Sequence, residues 1–264
     1  MNKILDEFNS LELKYGEYAI LPLGQHSFAV KTAVHTVWLD PFLSDLDGRL
    51  VSAPCKANEV IVADIITGSH DHADHIDRAA LPDVVKAAKD AFFVFPRAVK
   101  VDEVPDEKTI RINYGESVEH NGIKISAIAS AHEFLETDEN GNCPALGYII
   151  SCDGVAFYHS GDCCIYEGLL TELKKHGHLD FVFLPINGRD AVRYNAGCIG
   201  NMTFQEAVDL AGNLDIDTAI PAHFDMFAFN SENPQKVVDY YNAKYPGRKC
   251  IVPVPGKIIK GGKQ

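Results

Sequence analysis

The amino-acid sequence predicts a mixed α/β fold in which two β-sheets pack together and helices cover their outer faces. Three observations carry this. Short apolar runs of strand character dominate the first half of the 264-residue chain, strands followed by helices occur in two successive series, and no linker, repeat or low-complexity stretch divides them.

In chain order, Tyr18 to Leu23, Phe28 to Leu39, Val60 to Thr67 and Phe92 to Phe95 read as strands that open a sheet. Ile110 to Asn113 follows, then Ser117 to Ser130. The latter folds over Asn121-Gly122, a pair suited to a two-residue hairpin whose central positions both need positive φ. Gly147 to Tyr158 repeats that pattern over Asp153-Gly154. Helical patterns interrupt the strands at Leu81 to Ala91, Ile165 to His176, Thr203 to Leu214 and Pro234 to Lys244. The third starts with a capping box, Thr203 as cap and Glu206 three residues on. The Gly/Lys-rich end from Lys257 reads as a frayed tail.

Composition narrows the function. With 46% hydrophobic residues the chain can bury a sizeable core, and one domain over residues 1–264 is expected. A formal net charge of −13 repels nucleic-acid phosphates, so a small-molecule substrate is expected instead. The start, Met1-Asn2-Lys3-Ile4-Leu5-Asp6-Glu7, has acids where a signal peptide needs a basic end, and no later apolar run is long enough to span a bilayer. A cytoplasmic location without membrane association follows as an expectation; whether the chain forms a homo-oligomer stays open. Seven cysteines (Cys55, Cys143, Cys152, Cys163, Cys164, Cys198, Cys250) include no C-x-x-C pair, which argues against a disulfide framework or a Cys-rich zinc site.

The densest chemical signal is Gly68-Ser69-His70-Asp71-His72-Ala73-Asp74-His75, which puts His70, His72, Asp74 and His75 just after an apolar strand. Imidazoles and a carboxylate suit first-row divalent metals, and a loop at a strand end can aim several side chains into one hollow. A solvated polar turn with incidental histidines is the plain alternative, and it weakens as more ligand-type positions match. Three further segments place His132, Asp162 and His223 directly after apolar strands. Each alone reads as a hydrogen-bonded loop residue. Together with the cluster they form a set with enough neutral donors for two cations and an acid, Asp162, to bridge them.

Through the ordered set Asp40, His70-x-His72-x-Asp74-His75, His132, Asp162 and His223, the chain resembles the metallo-β-lactamase superfamily over nearly its whole length. That resemblance implies an αββα sandwich of two mixed β-sheets flanked by helices, with the metals at one edge. It also implies that His70, His72 and His132 hold one metal, that Asp74, His75 and His223 hold the other, and that Asp162 bridges them. Leu184-Pro185-Ile186-Asn187-Gly188-Arg189-Asp190, Gly200-Asn201-Met202-Thr203 and Pro221-Ala222-His223-Phe224-Asp225 are similar to the L-ascorbate-6-phosphate lactonase branch, whose chains are longer. The branch implies Mn2+, whereas intrinsic affinity favours Zn2+. Many β-lactam hydrolases of the superfamily carry Cys where Asp162 stands; Cys163 follows it, but adjacent residues on an extended segment point opposite ways.

Around this set, Asp40 suits either of two jobs: accepting the free N–H of a ligand histidine, or starting the turn before Pro41. Gln25-His26-Ser27 lies at the same mouth, with His26 expected to be a satisfied structural residue outside the ligand set. His159 is expected to be packed or hydrogen-bonded. Asn187, Arg189 and Asn201 occupy a loop where a substrate anion would be read, Arg189 offering a fork matched to phosphate or carboxylate. Arg193 is more simply a surface partner of Asp190. The expected activity is a metal-dependent hydrolase that activates water, most concretely a lactonase acting on a small anionic, sugar-phosphate-like lactone. Asp162 would be the bridging catalytic residue and Asp74 a secondary aid to proton transfer. A phosphodiesterase of the same fold needs the same ligands, and a non-enzymatic metal-dependent binding protein is the alternative from another class.

Overall fold

The structure is a computed structural model and describes residues 2–262. Helix α1 (Lys3–Asn9) starts from Asn2, whose side chain accepts from the Ile4 and Leu5 amides. The first sheet then forms from β1 (Glu17–Gly24), β2 (Ser27–Lys31), β3 (Thr36–Leu39), β4 (Ile65–Thr67), β5 (Phe92–Pro96) and β6 (Thr109–Ile112), with α2 (Leu81–Ala87) between β4 and β5. The second sheet follows from β7 (Ser117–His120), β8 (Ile123–Ala129), β9 (Leu146–Cys152), β10 (Val155–His159), β11 (Leu179–Pro185), β12 (Ile216–Ala222) and β13 (Lys249–Cys250). Helices α3 (Leu169–Lys174), α4 (Ala191–Asn195), α5 (Phe204–Asn213) and α6 (Gln235–Lys244) lie among these strands, and β14 (Ile259–Gly262) returns to the first sheet. The spatial orders are β14-β1-β2-β3-β4-β5-β6 and β13-β12-β11-β10-β9-β8-β7.

Period-two alternation builds the layers. Tyr18, Ile20, Val30 and Val37 of the first sheet meet Ile125, Tyr148, Phe157 and Phe181 of the second in the central core. The intervening residues Ala19, Leu21, Trp38 and Phe93 face outward onto Phe8 of α1 and Leu81 and Val84 of α2. Ile149, Tyr158 and Val182 pack outward against Leu173, Val208 and Tyr241 of the second helical layer. The expected αββα sandwich of two mixed sheets is the observed architecture. Both hairpins form as expected, with positive φ at Asn121, Gly122, Asp153 and Gly154.

Three expectations need correction. The run Phe28 to Leu39 is two strands, because Asp153 from the other sheet's hairpin accepts from Thr32 Oγ1 (2.6 Å), Val34 N (2.8 Å) and His35 N (3.2 Å) and folds that stretch into a turn. Only the last three residues of Val60 to Thr67 pair as a strand, and Ile61 and Val62 before them are exposed. The tail from Lys257 is not frayed through Gly262: Ile259 pairs opposite Ile20 and Gly261 opposite Tyr18. Among the described residues, no helix is long and apolar enough to cross a membrane.

β3 to β6 run parallel, as do β10 to β13, and β1 and β8 point the same way as their parallel neighbours. The loops leaving β1, β3, β4, β8, β10, β11 and β12 therefore gather at one edge of the sandwich, as loops at the carboxyl ends of parallel strands do.

Candidate metal centre

That edge brings together every residue the sequence singled out as a ligand. Asp40 follows β3, the His70 to His75 loop follows β4, His132 follows β8, Asp162 follows β10 and His223 follows β12. Two glycines permit the approach. A Cβ on Gly68 would lie 2.5 Å from Ile76 Cγ1, and one on Gly161, at φ +59°, would lie 2.8 Å from Ser69 Cβ. The second sheet pins the His70 loop through Tyr148 Oη to Gly68 O (3.0 Å) and Leu146 N to Ser69 O (2.9 Å). Ser130 donates to Ser160 O (2.6 Å) and Asp162 O (3.0 Å), tying the His132 and Asp162 loops together.

Two groups of donors result. In the outer group, His70, His72 and His132 each offer one ligand atom within 4.8 Å of the others, and His132 Nε2 is 3.2 Å from His72 Nδ1. In the inner group, Asp74, His75 and His223 do the same, with Asp74 Oδ2 3.7 Å from His75 Nε2 and 3.5 Å from His223 Nε2. Asp162 stands between: Oδ1 is 3.1 Å from His75 Nε2, while Oδ2 is 3.2 Å from His223 Nε2 and 3.8 Å from His132 Nε2. Donors sharing one ion at bond lengths near 2.0–2.2 Å sit roughly 3–3.5 Å apart in a tetrahedron, so these spacings fit the edges of coordination polyhedra. Buried His70 Nε2, His75 Nε2 and Asp162 Oδ1 have no hydrogen-bond partner among the described residues. Buried imidazole nitrogens and a carboxylate oxygen aimed at one another fit a cation, which would take the place of any proton between them.

Charge separates the groups. Burial, with the neighbouring His75, holds His70 well below the usual imidazole range, and burial pushes His132 down to about 4. Burial also disfavours charge on His75 and His223, but there the Asp162 and Asp74 carboxylates outweigh it, raising His75 well above its ordinary value and His223 to about 9. Burial works against ionisation of Asp74 and Asp162 too. His75 and His223 overcome it and hold both acids below the usual carboxylate range. Asp40 Oδ2 lies 2.8 Å from His75 Nδ1, fixing that ring with Nε2 toward the centre. Thr67 Oγ1 (3.1 Å) and Ser69 Oγ donate to Asp40 in turn, and its φ of 44° marks the tight turn before Pro41.

Two residues at the centre, Gln25 and His26, come from the turn that the sequence places at the same mouth but outside the ligand set. His26 is not a satisfied structural histidine: it is fully buried, neither ring nitrogen has a partner among the described residues, and Nδ1 is 3.7 Å from Asp162 Oδ1. Burial pushes it down to about 4. Gln25 Nε2 reaches Asp74 Oδ2 at 2.7 Å. Both sit on a hairpin loop that the strand pattern marks only as a turn; their proximity to Asp162 and Asp74 depends on sheet packing, which local periodicity does not encode. His159 is buried, with Nε2 2.8 Å from His26 O. Cys163 turns its side chain into the helix-side core, away from the centre.

The loop expected to read an anion is built differently. Arg189 gives both arms of its fork to Glu206 (2.8 Å and 2.8 Å) and a third bond to Asn201 O (2.9 Å). The carboxylate that completes the α5 capping box has already filled it. Asn187 and Asn201 are buried and bonded to each other (3.1 Å), with Asn187 also donating to Asn230 (2.8 Å). Arg193 donates to Asp190 (2.6 Å) and to Asn187 O (2.7 Å). Arg189 and the side-chain amides of Asn187 and Asn201 are thus bonded within the loop, apart from Asn201 Oδ1, which has no partner among the described residues. The cleft beside the outer group, about 230 Å³, is lined instead by His70, Asp71, His72, Val99, Ser130, His132, Phe134, Glu136, Pro144, Ala145 and Ile199.

Comparison with known proteins agrees with the fold. A family model described as a beta-lactamase superfamily domain matches residues 35–224. A metal-dependent hydrolase of Thermococcus onnurineus is 29% identical over 241 residues, covering 90% of this chain and 97% of its own. One from Archaeoglobus fulgidus is 27% identical over 247 residues, covering 91% and 98%. Among solved structures, a metallo hydrolase from Ignicoccus hospitalis superposes with a TM-score of 0.75 at 19% identity, over 94% of this chain and all 100% of the other. An isothiocyanate hydrolase from Delia radicum gut bacteria does so at 0.70 and 16% identity, over 93% and 100%. At these identities the structural likeness is one of fold.

Proposed function

The chain belongs to the beta-lactamase superfamily, and from that premise we propose that it is a metal-dependent hydrolase of small, uncharged, ester-like substrates, lactones foremost. The observation that carries the reading is the convergence of His70, His72, His132, Asp162, Asp74, His75 and His223 on unpartnered lone pairs beside a cleft with an apolar wall. Two divalent cations held by such donors, Zn2+ or Mn2+, supply Lewis acidity and acidify water toward neutrality. The chain's own residues do the positioning. Asp162, placed against donors of both groups, sets their spacing, and Asp40 fixes the ring of His75. Asp74 sits at 18% side-chain exposure, open enough to exchange a proton with a leaving group, though its ligand role lowers its basicity.

The lining of the cleft supports the substrate class. Val99, Phe134, Pro144, Ala145 and Ile199 offer an apolar body-binding wall, and among the described residues Asp71 and Glu136 are its only formal charges apart from the histidines, with no Lys or Arg lining it. The phosphate-bearing lactone implied by the branch resemblance meets no cationic side chain there, and a phosphodiester meets the same lack. A metal-dependent binding protein is the less favoured reading because a complete bridging set suits an activated water.

The test is a kinetic screen of protein reconstituted with Zn2+ or Mn2+, against neutral lactones, phosphorylated sugar lactones and an aryl phosphodiester. The highest kcat/KM is expected on neutral lactones. Preference for either anionic class would overturn the substrate assignment, and a metal-replete protein inert toward all three would support the binding-protein reading.

A further inference from the structure

Gln25 makes the inner group larger than the resemblance implies. The residue is 2% exposed and sits at φ 57° on the turn after β1. Its backbone is bolted to the His223 loop: Gln25 N donates to Asp225 Oδ1 (2.9 Å), and Gln25 O accepts from His223 N (2.8 Å). Its side chain reaches inward, with Nε2 2.7 Å from Asp74 Oδ2 and 3.1 Å from His223 Nε2, while buried Oε1 has no partner among the described residues.

These contacts cannot all be satisfied by the side chains alone. His223 Nε2 also faces Asp162 Oδ2 at 3.2 Å. A proton placed there for Asp162 points a donor at a second donor on the Gln25 amide. If the amide turns over, exchanging its oxygen and nitrogen within the same outline, the oxygen lies against the Asp74 carboxylate as two acceptors. One change relieves the second arrangement: a cation between Asp74, His223 and the amide oxygen turns three facing lone pairs into three donors. A neutral amide oxygen is a suitable ligand for hard and borderline divalent ions.

We infer that Gln25 is a two-state member of the inner group: without the cation its NH2 donates to the Asp74 carboxylate, and with the cation it turns over and supplies Oε1 as an added donor. This rests on the metal-centre reading above. It assigns Gln25 a metal-loading role, separate from any contact with substrate.

The test titrates Zn2+ alone into the metal-free full chain by calorimetry, for wild type, Gln25→Leu and Gln25→Glu, with folding checked by circular dichroism. Wild type is expected to take two equivalents. The leucine variant is expected to keep one at wild-type affinity and to bind the second at least tenfold more weakly. Gln25→Glu, which offers an oxygen in either orientation, is expected to bind the second at least as tightly as wild type. In wild type, the side-chain 15NH2 signal of Gln25, assigned by its absence from the leucine variant, is expected to shift with the second equivalent only. Two wild-type affinities in Gln25→Leu overturn the inference and leave the centre standing; if the leucine variant does not fold, weaker second binding by Gln25→Glu overturns it. A wild-type protein that takes up no zinc overturns the metal-centre reading itself.

Discussion

The outer and inner donor groups use the same side chain, imidazole, to opposite electrostatic effect. His70 and His132 are buried mainly among other imidazoles, and burial drives both below their ordinary range. His75 and His223 are buried at least as deeply, yet Asp74 and Asp162 raise them. What decides the protonation of a buried histidine here is its neighbours' charge, with burial setting the stakes. At neutral pH the outer group presents lone pairs ready for a cation, whereas the inner group holds protons that a cation must displace.

The two donor groups meet at one residue. Asp162→Asn removes the charge that sets both affinities, and kcat/KM is expected to fall by more than about a hundredfold. A metal-replete variant with near-wild-type turnover would falsify the bridging role. Next in size is Asp40→Ala, which frees the His75 ring and reaches the outer group only through Ser69 Oγ, 3.0 Å from His70 Nδ1. Metal affinity should drop by about 10–100-fold at the inner site and by much less at the outer. Equal losses at both sites in a calorimetric titration would show that the groups are not separable.

Proton competition sharpens the contrast. Metal uptake by the inner group should tighten as pH rises from about 6 to 9 and release protons, because His223 titrates at about 9. Uptake by the outer group should be nearly flat above about pH 6, since His132 titrates at about 4. Calorimetry in buffers of different ionisation enthalpy separates the two, and equal proton release at both steps would count against the assignment. The metal-free fold carries the same signature. His26 and His132 at about 4 and His159 at about 3 titrate below their ordinary 6.5, so their contribution to stability is present above pH 6.5 and is lost as pH falls. The loss is about 1.4 kcal/mol per pH unit for each residue. His223, raised, contributes below pH 6.5 and loses that contribution as pH rises toward about 9. Thermal melting in chelator should therefore peak near pH 6.5, and a flat profile from about pH 4 to 9 would contradict it.

The smallest expected effect is at Arg189. Because its fork is spent on Glu206 at a half-exposed position, Arg189→Ala should leave KM unchanged and cost only about 0.2–1 kcal/mol in stability. A severalfold rise in KM would return Arg189 to the substrate.

Most of the sandwich was legible because its strands alternate and its hairpins carry Asn-Gly and Asp-Gly. The errors came where tertiary partners override local pattern: Asp153 bends Phe28 to Leu39, and β1 captures the tail. Helices α1 and α4 were missed because each is short and held at its start by one capping side chain, Asn2 or Asp190. The ligand loop after β4 was legible as chemistry since its donors lie within a few residues of one another. Gln25 and His26 were not, because a lone polar residue in a turn acquires meaning only from what a second sheet brings opposite it. The pairing of Arg189 was hidden for a related reason: its partner, Glu206, lies one loop away in the helix cap.

Among the described residues the two sheets share no strand pairing, and the centre lies across their junction. The first sheet's loops carry Asp40 and His70 to His75, and the second's carry His132, Asp162 and His223. A chain growing from its N-terminus therefore makes two of the three donors of each group long before the third exists, and neither group closes until His132 and finally His223 arrive. Bound metal would then be a receipt for finished folding, and any affinity gained at the centre adds RT ln(1 + [L]/Kd) to the docking of one sheet on the other. By this logic a chelator acts on the protein as a selective solvent for that seam, loosening the junction of the two halves before it disturbs either.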